Sequence, residues 1–131
     1  MVPRIVFVDD DPDDRELIVD CLLHNHISSY RIFDSGTTLF TYLKTLQAHE
    51  LPEVIVLDLN MPAMDGLEVL TKLKAVEPYQ HIPVYLLTTS SRSQLIEQCI
   101  RAGADGYYQK PNSLSDYKTI VKKLKELAFD A

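Results

Sequence analysis

The sequence predicts a doubly wound α/β domain, with a five-stranded parallel sheet covered by helices on both faces. Short apolar runs alternate with stretches whose apolar residues recur every three or four positions, giving β-α five times. Runs such as Val54-Ile-Val-Leu57 are apolar throughout, as in parallel strands buried on both sides. Right-handed crossovers then leave a doubly wound sheet as the simplest arrangement.

The first strand is Arg4–Val8, ending in the acidic run Asp9–Asp14 interrupted by Pro12. From Pro12 the pattern turns helical, with Leu17, Ile18, Cys21 and Leu22 at helical spacing. Asp11 is an N-cap before a proline at the first helical position, and Asp13 and Asp14 fall in the first turn, where the helix dipole favours anions. Tyr30–Phe33 is a second, less apolar strand. A helix follows over 38–48, burying Leu39, Phe40, Leu43 and Leu46. The third strand is Glu53–Leu57, and a helix over 65–76 buries Leu67, Val69, Leu70 and Leu73. After the loop 77–81 comes a fourth strand, Ile82–Leu87, with Pro83 tolerable at its start. A fourth helix, 93–102, stops at Gly103. Gly106–Gln109 is the fifth strand, and a helix over 113–129 carries the stripe Leu114, Tyr117, Ile120, Val121, Leu124 and Leu127.

Residues 1–131 are expected to form one domain, with no appended output domain. A chain of this length buries roughly 65–70% of its unfolded surface, so it needs no disulfide or structural metal to fold. Cys21 and Cys99 lie far apart on apolar helix faces and read as small core side chains, in keeping with a reducing, cytoplasmic compartment. No apolar stretch approaches the roughly 18 residues of a membrane span, and the amino terminus lacks a secretory pattern. The net charge of −6 argues against direct nucleic-acid binding. His24, His26, His49 and His81 show no metal-ligand spacing.

Polar groups collect at the strand ends. The first strand delivers Asp9 and Asp10, the third Asp58 and Asn60, the fourth Thr88, Thr89 and Ser90, and the fifth Lys110. In a doubly wound fold these ends share one sheet edge, where ligands bind. Asp9 and Asp10 close a buried strand before the cap, and with Asp58 they make a three-carboxylate cluster whose repulsion calls for a cation. Hard oxygen ligands in small number suit Mg²⁺. Lys110, on the same edge, has the acids as partners and can serve as a point charge for a phosphoryl oxygen. Asp58 ends a central strand without an adjacent acid, so it is the candidate nucleophile for phosphoryl transfer.

Val8-Asp9-Asp10, Leu57-Asp58 through Asp65-Gly66, Leu87-Thr88 and Gly106–Pro111 together resemble the receiver domain of two-component response regulators, over essentially the whole chain. The resemblance implies a flavodoxin-like strand order, 2-1-3-4-5, and a Mg²⁺ cofactor. Asp58 would be the phosphoacceptor, taking its phosphoryl group from a sensor histidine kinase or a histidine phosphotransfer protein. Asp10, Asp58 and the backbone carbonyl of Asn60 would bind the metal directly, with Asp9 acting partly through water. Thr88 would hydrogen-bond the phosphoryl group and, with Tyr107, report its presence, while Lys110 would pair with the phosphoryl oxygen and Lys110–Pro111 would be cis. Asn60 and Ser90 would flank the path of a water in self-dephosphorylation. Loops 47–52 and 77–83 and the run 87–90 resemble stand-alone regulators found beside phytochrome-type sensor kinases.

The output would be a switchable surface built from helix four, strand five and helix five, carrying Arg92, Gln94, Tyr108, Tyr117, Lys118 and Lys122. It would meet a downstream protein target or a second copy of the chain, without membrane contact. Such a protein is a signalling switch and not an enzyme with a free substrate. A Mg²⁺-dependent phosphohydrolase with an aspartate nucleophile usually has a second Asp two residues later, where this chain has Asn60. A flavin or nucleotide binder would need a Gly-rich loop after the first strand, where the acids stand instead.

Overall fold

The computed structural model describes residues 3–129. Its elements run β1 (Ile5–Val8), α1 (Pro12–His24), β2 (Tyr30–Phe33), α2 (Gly36–Leu43), β3 (Val54–Leu57), α3 (Gly66–Lys74), β4 (Val84–Thr88), α4 (Ser93–Arg101), β5 (Gly106–Gln109) and α5 (Leu114–Phe129). The strands form one parallel sheet in the order β2-β1-β3-β4-β5. This is the doubly wound, flavodoxin-like order, with β1 and β3 adjacent at its centre.

Side chains alternate across the strands and divide the core in two. Val6, Val8, Ile55, Leu57, Val84 and Leu86 pack with α2, α3 and α4 through Leu39, Leu43, Val69, Leu70, Leu73 and Cys99. Ile5, Phe7, Val54, Val56 and Leu87 pack with α1 and α5 through Ile18, Cys21, Leu22, Tyr117, Val121 and Leu124. Both cysteines are buried and unpaired, as small core side chains.

Several boundaries differ from the sequence expectation for local reasons. The second helix starts earlier because Ser35 caps it, accepting a hydrogen bond from the Thr38 amide. It ends at Leu43, and Ala48–Glu50 form a separate 3₁₀ turn. The fourth strand begins only after Pro83, which has no amide to give a neighbour, and extends to Thr88, paired with Gln109. On α5 the apolar stripe is narrower than expected, because Leu114 and Leu127 at its two ends reach solvent. Tyr117, read both as part of the apolar stripe of α5 and as part of the switchable face, is 2% exposed in the α1/α5 core, so it belongs to the stripe and not to the face. The expected cis Lys110–Pro111 bond is also corrected: among the described residues the cis peptide is Glu77–Pro78, and Lys110–Pro111 is trans. Trans is the lower-energy form of an X–Pro bond, and Lys110 reaches its acidic partners from it.

Candidate functional site: an acidic cleft around Asp58

The register places the carboxyl ends of β1 and β3 side by side, with Val8 opposite Leu57. The next residues, Asp9 and Asp58, are therefore neighbours, and the Asp58 amide donates to the Val8 carbonyl at 3.0 Å. Both acids are buried. Asp58 nevertheless lines an open cleft of about 450 Å³ together with Asp10, Asp11, Pro12, Asp14, Asn60, Thr89 and Lys110.

Lys110 binds the acids together. Its Nζ donates to Asp9 Oδ2 at 2.7 Å, Asp14 Oδ2 at 2.8 Å and Asp58 Oδ2 at 2.9 Å, using all three ammonium protons. Burial works against the charged ammonium, but the bonds to Asp14, Asp9 and Asp58 outweigh it and hold the lysine pKa well above its ordinary range. The carboxylates must share that one cation. Burial pushes the Asp9 carboxyl up from 3.8 to about 6, even though Lys110 and the Asp11 amide pull it down, and the charge of Asp58 adds to the rise.

Asp14 is the site residue that sequence reading assigned elsewhere. It was expected only to complement the helix dipole of α1, yet it is the third partner of Lys110. The missed signal is directional. A side chain in the first helical turn leans back toward the helix amino terminus, and here that end opens on the acidic cleft. Asp11 does cap α1, accepting from the Asp13 amide at 2.9 Å.

Asp9, Asp10 and Asp58 each offer an oxygen, and the three oxygens lie within 4.8 Å of one another. Octahedral Mg²⁺ binds oxygen at 2.0–2.1 Å, so opposite ligands stand roughly 4 Å apart. The three oxygens are close enough to gather on one cation, and their number and hardness suit such an ion.

On the other side of Asp58, its Oδ1 accepts from the Asn60 amide at 3.1 Å. The Asn60 side chain donates to Thr88 Oγ1 at 3.2 Å and to Thr89 Oγ1 at 3.3 Å. Thr88 is fully buried, and its Oγ1 also accepts from the Ser90 amide at 3.2 Å. The Ser90 carbonyl accepts from the Tyr107 hydroxyl at 2.7 Å. An unbroken chain of hydrogen bonds thus runs from Asp58 through Asn60, Thr88 and Ser90 to Tyr107 on β5. The bond from Tyr107 to Ser90 was not legible in the sequence, because it depends on how the β4–α4 loop turns.

The fold is that of a flavodoxin-like receiver domain, and the comparisons agree. The chain belongs to the response regulator receiver domain family, whose model matches residues 5–122. The two-component response regulator ARR6 of Arabidopsis thaliana is 30% identical over 136 residues, which cover 96% of this chain and 73% of that protein. Among solved structures, the phosphorylated cyanobacterial phytochrome response regulator RcpA superposes with a TM-score of 0.85 at 28% identity, covering 98% of this chain and 96% of that one. The Mn²⁺-bound form of response regulator Rcp1 superposes at 0.80 with 27% identity, over 95% of this chain and 93% of its own. Among the described residues no helix is long and apolar enough to cross a membrane.

Proposed function

We propose that this receiver domain accepts a phosphoryl group on Asp58 from the phosphohistidine of a sensor kinase or a phosphotransfer protein. The observation that carries this reading is the setting of Asp58: buried, open to the cleft, hydrogen-bonded through one oxygen to Lys110 and through the other to the Asn60 amide. An Asp58 oxygen attacks phosphorus, the phosphorus–nitrogen bond breaks, and its electron pair returns to the imidazole, which takes a proton from solvent. Catalysis here is positioning and charge stabilisation. Lys110, already 2.9 Å from Asp58, turns to the phosphoryl oxygens. Asp10, Asp58 and the Asn60 carbonyl would hold Mg²⁺, with Asp9 acting through water. When bound, Mg²⁺ supplies positive charge against the incoming phosphoryl oxygens.

Thr88 is the first reader of the new charge. Its hydroxyl accepts two hydrogen bonds and keeps its own proton to donate to a phosphoryl oxygen. Drawing it inward pulls on Ser90, and through Ser90 on Tyr107. The displacement reaches the α4-β5-α5 face, where Arg92, Gln94 and Lys122 are exposed and Tyr108 and Lys118 half-buried. That face would engage the downstream protein or a second copy of the chain, in the cytoplasm. The likeness to phytochrome response regulators supports a phytochrome-type kinase as the phosphodonor.

The test is intact mass after incubation with Mg²⁺ and a small phosphodonor such as acetyl phosphate. Wild type gains the mass of one phosphoryl group and Asp58→Asn does not. Equal labelling of Asp58→Asn removes Asp58 as the acceptor.

A further inference from the structure

Arg15 makes a contact that the proposed chemistry does not use. It stands at the first turn of α1, half-buried, where a side chain leans back toward the helix amino terminus. Its Nη1 donates to the Asp9 carbonyl at 2.9 Å, and its backbone amide donates to the Asp11 carbonyl, also at 2.9 Å. The two bonds tie both ends of the Asp9–Asp11 segment to the helix.

The Asp9 carbonyl needs such a partner. Strand β1 pairs with its neighbours as far as Val8, and the Asp9 amide still donates to the Phe33 carbonyl at 3.0 Å. The carbonyl of Asp9 lies past that ladder in a buried residue, where an unpaired acceptor costs free energy. The guanidinium supplies a charge-assisted bond.

This carbonyl belongs to the peptide joining Asp9 to Asp10. The next peptide, joining Asp10 to Asp11, is also held: the Asp11 amide donates to Asp9 Oδ1 at 3.0 Å. Asp10 therefore stands between two anchored peptide planes, which fix the direction in which its side chain leaves the backbone. Asp10 depends on this more than the other acids do. The carboxylates of Asp9 and Asp58 are held by Lys110, whereas among the described residues no hydrogen bond holds that of Asp10. An Asp10 oxygen nevertheless lies within 4.8 Å of oxygens of Asp9 and Asp58, against the mutual repulsion of three carboxylates.

We infer that Arg15 is a positioning residue for the cation site: by taking the Asp9 carbonyl it fixes the backbone that carries Asp10, and so keeps the Asp10 carboxylate with those of Asp9 and Asp58. It acts through the backbone and not as a ligand, since a guanidinium has no lone pair to give a metal. The inference rests on the binding of Mg²⁺ by these acids proposed above. The sign of the effect separates positioning from simple electrostatics. A positive charge beside a cation site repels the cation, so on charge alone the removal of Arg15 tightens Mg²⁺ binding. Loss of positioning loosens it, and partners that orient metal ligands are worth roughly 10–100-fold in affinity.

The experiment titrates Mg²⁺ into metal-free wild type, Arg15→Met and Arg15→Lys by calorimetry at neutral pH, with urea unfolding in chelator to show that each is folded. Arg15→Met loses both charge and donor, and should raise the Mg²⁺ dissociation constant by about tenfold. Arg15→Lys keeps a charged donor for the single bond involved. It should bind Mg²⁺ more tightly than Arg15→Met, although it also keeps the repelling charge. If Arg15→Met is unfolded in chelator, Arg15→Gln takes its place with the same expectation. A merely structural role would lower the unfolding midpoint and leave the dissociation constant of the folded protein within twofold of wild type. That outcome overturns the inference, as does tighter binding by Arg15→Met than by wild type, or weaker binding by Arg15→Lys than by Arg15→Met. If wild type binds no Mg²⁺, or Asp10→Asn binds it as tightly as wild type, the underlying reading of the acids fails instead.

Discussion

The backbone of Gly66 lies directly against the carbonyl of Asp58: a β-carbon at Gly66 would stand 2.4 Å from that oxygen and 2.8 Å from the Leu59 α-carbon. The Gly66 amide donates to the Leu59 carbonyl at 3.2 Å, closing the loop between β3 and α3. The atoms in the way are backbone, so no side-chain rotation can relieve the contact. Gly66→Ala is therefore expected to destabilise the fold by about 1–3 kcal/mol, the usual cost of overpacking. Because the displaced atoms carry the Asp58 side chain, labelling by acetyl phosphate should slow more than the stability loss alone explains. Urea unfolding and time-resolved intact mass check the two halves.

Lys110 is the cation of a site that gathers Asp9, Asp14 and Asp58 around it and has Asp10 alongside. Removing one partner of a buried ion pair leaves its counterparts uncompensated. Lys110→Met should lower the stability of the metal-free protein at neutral pH by about 3 kcal/mol or more. Saturating Mg²⁺ should restore part of that loss, more in the variant than in wild type. Unfolding midpoints with chelator and with Mg²⁺ make the comparison.

The proton on Asp9 gives the fold a pH dependence of defined sign. Its pKa rises from 3.8 to about 6, chiefly through burial. Between those values the folded protein keeps a proton that the unfolded chain has released. Stability from this group is thus fully present below about pH 4 and is lost as the pH rises through about 6, a loss of about 3 kcal/mol. Asp9→Asn should remove this slope from the pH profile of the metal-free protein. Mg²⁺ competes with the proton for the acidic cluster, so the rise in midpoint on adding it should be larger at pH 7 than at pH 5.

The alternation of apolar strands and amphipathic helices carried the architecture, because burial on both faces leaves a strong pattern in β1 and β3. Asp9, Asp10, Asp58 and Lys110 were also legible, since charged residues terminating buried strands have few structural reasons to be there. What escaped depends on direction in space. The spacing of Asp14 is that of any helical residue, and only the fold brings it to Lys110. Helix ends slipped where caps compete, as at Ser35, whose side chain starts α2 two residues before the expected Thr38.

Tyr107 offers a last check on how the site communicates. Its hydroxyl is fixed to the Ser90 carbonyl at 2.7 Å, and the Ser90 amide is fixed to Thr88. Tyr107→Phe keeps the ring packed against the α2/α3/α4 core and deletes only the hydrogen bond. Its stability cost should be about 1 kcal/mol, the net value of one such bond. Asp58 lies at the other end of the chain, so the rate of labelling by acetyl phosphate should stay within about twofold of wild type, well under the tenfold that 1.4 kcal/mol would give. What should change is the coupling. In wild type, phosphorylation should alter the hydrogen-exchange protection of the β4–α4 loop and of β5 together. In Tyr107→Phe the loop should still respond through Thr88 while β5 responds less. Equal responses of β5 in the two proteins would show that the signal reaches it by another route.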